Sequence, residues 1–147
     1  MVNKKAVEEV GFFNPDLGTA EDREFLIRLI RKGSFVYSAA PITQYRWHDD
    51  NATQKKHAKR NMENGLHALK LILDNRALHL SPGEKTACND EVNRAANEYF
   101  YICSNDGWRG YCSGFYFVKT RLGVGAAIKA LSTKHIVRSL MQAFSVQ

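Results

Sequence analysis

Glu21 and Asp22 stand side by side just before an apolar-periodic run, and Tyr45-Arg46-Trp47-His48 closes a β-like stretch further on. A carboxylate at a helix start is held ionised by the helix dipole and can take a proton from a hydroxyl. The same pair has a purely structural use, contributing a few tenths to ~1 kcal/mol each at a helix N-terminus. A neutral imidazole such as His48 suits Mn²⁺ or a related divalent ion, although a histidine after a strand also serves as an ordinary turn residue. Arg46 has an ordinary use in a structural salt bridge. Tyr45 and Trp47 offer either packing or a flat apolar platform for a sugar.

The elements that must hold these residues are legible around them. Residues 4–10 form a short helix stopped by Gly11, which suits a left-handed C-terminal cap. Residues 11–18 are turn-rich, with Phe12 and Phe13 expected to anchor the loop in a core. A helix follows, with Thr19 as its cap and Glu21 and Asp22 in its first turn. Phe25, Leu26, Leu29 and Ile30 form its apolar face, Arg31 and Lys32 its last turn, and Gly33 its end. Residues 34–40 read as a strand and Pro41 punctuates it. Residues 42–47 read as a second strand, with Ile42, Gln44 and Arg46 on one face and Thr43, Tyr45 and Trp47 on the other. His48-Asp49-Asp50-Asn51 makes a polar turn.

The remaining chain, 54–147, reads as helices throughout. Met62, Leu66, Leu69 and Leu73 recur at helical spacing within a helix over about 53–77. Ser81-Pro82-Gly83-Glu84 is a capping box with proline at the first helical position. Cys88, Val92, Ala95, Tyr99 and Ile102 continue that helix's buried face. Tyr111, Phe115, Val118 and Leu122 form a third stripe, and 127–144 gives one or two terminal amphipathic helices. Short helices with short loops imply an antiparallel array.

Bulk properties bound the function. The 147 residues make about one domain, 44% of them apolar and 24% charged, enough for a real core. No apolar run reaches the roughly 18 residues of a membrane span, and the first residues carry no apolar signal segment. A soluble or peripheral protein is expected, cytoplasmic or at the inner face of the membrane. Cys88, Cys103 and Cys112 form no metal-binding pair and no disulfide framework. The formal charge of +6 is unevenly placed: residues 107–147 hold six Lys and Arg and no Asp or Glu. That asymmetry fits an anionic membrane surface nearby, or a solvated face of a helical hairpin. No nucleic-acid-binding motif accompanies it.

Taken in order, the residues of the first third resemble the active-site-closing region of family 2 glycosyltransferases. The matching elements are Val10-Gly11-Phe12-Phe13-Asn14, Glu21-Asp22, Leu26-Ile27-Arg28-Leu29, Gly33, Pro41, Tyr45-Arg46, His48 and Asn51-Ala52-Thr53. Phe12 stands where the family often has a second glycine. The resemblance implies an α/β region at 1–53, the C-terminal part of a GT-A catalytic domain, followed by an antiparallel helical extension at 54–147. It implies Asp22 as the base in an inverting transfer, with Glu21 and Trp47 toward the acceptor. Arg46 would lie toward the diphosphate and His48 toward a divalent Mn²⁺ or Mg²⁺. The substrates would be a nucleotide-sugar donor and a saccharide or lipid-linked acceptor, in polysaccharide or glycoconjugate synthesis. The nucleotide-binding strands and Asp-x-Asp motif of such enzymes have no counterpart here, so these residues alone are expected to be inactive. Arg28 reads as structural. The competing reading is a non-enzymatic helical module whose basic C-terminus docks on a membrane or an acidic partner.

Overall fold

The computed structural model describes residues 2–41, 43–48, 51 and 54–144, the side chains of 143 and 144 excepted. Seven α-helices follow one another: α1 (Lys4–Val10), α2 (Glu21–Ile30), α3 (Ala58–Asp74), α4 (Pro82–Ser104), α5 (Gly107–Leu122), α6 (Val124–Lys129) and α7 (Thr133–Phe144). Single 3₁₀ turns at Pro15–Leu17, Lys55–His57 and Arg76–Leu78 join them.

Helices α3, α4 and α5 form the body. Lys59 at the start of α3 lies 3.9 Å from Asp106 beyond the end of α4, so these two helices run antiparallel. Leu66 and Leu69 of α3, Val92, Ala96, Tyr99 and Phe100 of α4, and Tyr111 and Val118 of α5 share one core. Burying each large apolar side chain contributes about 1.5–3 kcal/mol. Tyr99 combines burial with a 2.5 Å hydrogen bond to Glu63 Oε1, which satisfies the hydroxyl that α4 takes inside. The expected capping box is present: Ser81 Oγ accepts from Glu84 N, and Ser81 N donates to Glu84 Oε2 at 2.8 Å.

Close approach of α4 and α5 depends on glycine. A Cβ at Gly114 would sit 2.8 Å from Cys103 Sγ, and one at Gly110 would sit 2.5 Å from the Cys103 carbonyl oxygen. Cys103 is fully buried there, as expected for a small core thiol; Cys88 is half-buried and Cys112 exposed.

The N-terminal region rests on this body. Leu17, fully buried, packs with Ala20 against Ala68 and Leu71 of α3. Arg23 pairs with Glu91 at 3.1 Å and Arg31 with Glu84 at 2.7 Å, tying α2 to α4.

The α/β character expected for 1–53 is not observed: among the described residues there is no strand. Residues 34–40 and the described part of 42–47 lack regular structure, while Ile42 lies outside the described residues. A strand satisfies its backbone groups only beside another strand, and among the described residues neither segment is paired with one. Val36 is accordingly 93% exposed, with Phe35 and Tyr37 also open to solvent. Gly11 does take a positive φ of 80°, but its ψ of 172° gives an extended exit in place of a left-handed cap.

Candidate functional site

Two conformationally special glycines bracket the loop before α2. Gly11 has φ +80° and Gly18 φ +61°, and a Cβ at Gly18 would lie 2.9 Å from Asn64 Nδ2. Between them Asn14 Oδ1 accepts from Asp16 N at 3.0 Å and opens the 3₁₀ turn that drives Leu17 into the core. Thr19, expected to cap α2, does not do so; Ala20 occupies the cap position without a side-chain bond. Thr19 Oγ1 instead donates to Asn61 Oδ1 and accepts from Asn64 Nδ2, both at 3.1 Å. The hydroxyl is better used pinning the loop to α3, because α2 already carries three acids in its first turn to answer its open N–H groups.

Those three acids differ in environment. Glu24 is buried and chelated by Arg28, at 2.7 Å from Nε and 2.9 Å from Nη2. Glu21 is half-buried, and its Oε2 has neither solvent nor a hydrogen-bond partner. Asp22 is exposed, its Oδ1 accepting from Arg23 N at 2.7 Å. Of the three, Asp22 is the carboxylate open to a hydroxyl arriving from solvent.

Arg28 is the organiser of this corner. Beyond Glu24 it donates to the carbonyls of Val10 and Gly11, and to that of Phe12 at 2.7 Å. Its guanidinium lies 5.4 Å from the Phe25 ring centre, and Phe25 meets Phe13 at 4.6 Å. One side chain therefore fixes the loop that leads into α2 against the helix carrying Asp22. Phe12 and Phe13 are both exposed, at 75% and 55%, so neither is buried in a core as expected, although Phe13 meets the Phe25 ring. The Glu24–Arg28 pair was visible in the sequence as an i,i+4 spacing of opposite charges, although nothing there marked Glu24 as buried.

The second group, Tyr45-Arg46-Trp47-His48, is exposed. The Tyr45 and Trp47 rings lie 6.0 Å apart on one side, as the alternation predicted. Asn51, itself buried, shapes the turn that follows: its Nδ2 donates to Arg46 O and its backbone N to His48 O, each at 3.2 Å. Gln54 Nε2 also donates to His48 O at 3.2 Å. Asp49 and Asp50 lie outside the described residues, as do Ala52 and Thr53.

The described interactions do not join the two groups. A cleft of about 550 Å³ opens between α1, α2 and residues 33–36, lined by Ala6, Leu26, Leu29, Phe35 and Val36 among others, and it contains neither Asp22 nor His48. Among the described residues, no cluster of three or more His, Cys, Asp or Glu side chains could hold a metal ion. His48 would supply one ligand at most, so these residues do not by themselves build the expected Mn²⁺ or Mg²⁺ site. No family model, curated protein or solved structure matches the chain.

Proposed function

We propose that residues 1–53 are the acceptor side of a nucleotide-sugar glycosyltransferase, completed by a separate nucleotide-binding portion, and that Asp22 is its base. The observation that carries this reading is the contrast within one helical turn: Glu24 is consumed by Arg28 and Glu21 is half-buried, while Asp22 stands open on a braced helix start. The ordered resemblance of residues 10–53 supplies the reaction class. In that reaction the acceptor hydroxyl loses its proton to Asp22 as its oxygen bonds to the anomeric carbon. The bond from that carbon to the diphosphate breaks, and the diphosphate leaves with the electron pair. The exposed Tyr45–Trp47 pair supports a carbohydrate platform, since apolar sugar faces stack on such rings. Arg28 and Thr19 keep the geometry fixed, which is where positioning contributes to rate.

The test is turnover of nucleotide sugars by the product of the complete reading frame that encodes these residues. Wild type should release nucleoside diphosphate in an acceptor-dependent manner. Asp22→Asn should reduce that release by about 10²–10⁴-fold, the usual range for loss of a general base. Glu21→Gln should cost far less. Undiminished turnover in Asp22→Asn sinks the assignment.

A further inference from the structure

The last two helices leave most of their large apolar side chains outside the core. They lie along α4: Asn97 Nδ2 donates to the Ala130 carbonyl at 3.0 Å, and the Tyr101 ring meets His135 at 5.8 Å. Arg138 lies 4.7 Å over Tyr101 and donates to Asn105 Oδ1 at 2.7 Å. What they and the turn between them bury is small or polar, Ala127, Ala130, His135 and Ser139, and Ile136 packs half-buried against the core. The large apolar side chains Val124, Ile128, Leu131, Val137, Leu140 and Met141 all face outward, Ile128 at 58% and Met141 at 64% exposure. An amphipathic helix of a self-contained domain puts such residues inward. Their outward placement in two consecutive helices marks a surface that is covered in use.

Charge identifies the cover. Lys129, Lys134 and Arg138 flank the apolar residues, and no acidic residue occurs in 107–147 to offset them. Glu98 of α4 pairs with Arg94 at 3.1 Å, and Asp106, between α4 and α5, lies beside Lys59. A second copy meeting this face in a twofold interface would bring like charges together. An anionic bilayer satisfies both features, taking the apolar side chains among the upper acyl chains and the cations among the headgroups. No helix of the described residues is long and apolar enough to cross the bilayer, so contact is in the plane of the interface. We propose that α6 and α7 form an interfacial docking surface for an anionic lipid membrane. No residue of 1–53 takes part, so this proposal stands apart from the transferase reading.

The 147-residue chain should co-sediment with vesicles of phosphatidylcholine and phosphatidylglycerol, and only weakly with phosphatidylcholine alone. Lys129→Gln with Lys134→Gln should weaken binding to the anionic vesicles about thirtyfold, at about 1 kcal/mol per charge. Ile128→Glu with Met141→Glu should weaken it at least about tenfold. All four side chains are exposed, and circular dichroism checks that the helices persist. The unmutated chain gives a readout independent of folding: oxidation of Met141 by peroxide, followed by mass mapping, should be slowed by anionic vesicles only. The proposal fails if binding ignores lipid charge, or if both double variants bind as wild type. It fails equally if Met141 oxidises at the same rate with and without vesicles. A lipid-free dimer that Ile128→Glu with Met141→Glu converts to monomer would also overturn it, assigning the face to self-association.

Discussion

Arg28 shows how much of the candidate site depends on one side chain whose hydrogen bonds run to Glu24 and the loop carbonyls. Replacing it with alanine removes the partner of a buried carboxylate and leaves the Val10 and Phe12 carbonyls without their donor. Breaking such a pair from one side costs about 3–5 kcal/mol, which a urea titration of Arg28→Ala would show as a large fall in midpoint. Arg28→Met with Glu24→Leu should recover much of that loss, because no charge is then stranded. His135 makes a different prediction. Burial first, then the Arg138 and Lys134 charges, hold its imidazole below the ordinary 6.5. The unfolded chain therefore binds a proton that the folded chain refuses. Stability is full above 6.5, falls as pH drops through that value, and levels off below the folded pKa. His135→Gln should flatten this part of a stability–pH curve. In the sequence Asp22 was singled out by the family resemblance, since residue type and position alone also fit a helix-start acid. They could not tell which of three neighbouring acids would be left open, because that depends on where Arg28 and the loop carbonyls lie in space.

At the scale of elements, helix existence was legible and helix orientation was not. The capping box at Ser81 and the stripe at 111, 115, 118 and 122 led directly to α4 and α5. Periodicity also marked one or two amphipathic helices over 127–144, without saying which of their apolar residues turn inward. The body of the fold accepts Ala127, Ala130 and Ser139, all fully buried or nearly so, and part of Ile136, while Ile128, Val137, Leu140 and Met141 stay outside. The hairpin of α4 and α5 makes its own prediction. Gly114→Ala places a methyl 2.8 Å from Cys103 Sγ and 3.0 Å from its Cβ, in a fully buried contact that cannot relax toward solvent. The expected cost is about 1–3 kcal/mol from overpacking, measurable as a lowered thermal midpoint. Thiol labelling checks the same packing: Cys112 should react at once with an alkylating reagent. Cys103 should wait for unfolding, its buried thiol pushed up in pKa by loss of solvation.

For the whole molecule, the decisive feature is the contrast between a well-packed helical body and the stretch at 34–48. Its alternation of aromatic and polar residues is that of a strand, yet Val36, Tyr37, Tyr45 and Trp47 lie open and its described residues have no ladder. Sequence periodicity reports what a segment is suited to become, whereas a strand exists only when a neighbour supplies hydrogen bonds. The helices carry their bonds internally and so formed where expected; the strands did not. Under the proposed reading, a nucleotide-binding sheet beside residues 34–48 would meet that need. The most direct measurement of this account is a single-turnover assay of the complete reading frame's product, with donor saturating and acceptor present, comparing wild type with Asp22→Asn. The account predicts that donor binding is unchanged and that glycosylated acceptor forms at least about 10²-fold more slowly. Equal rates of product formation in the two proteins would contradict it.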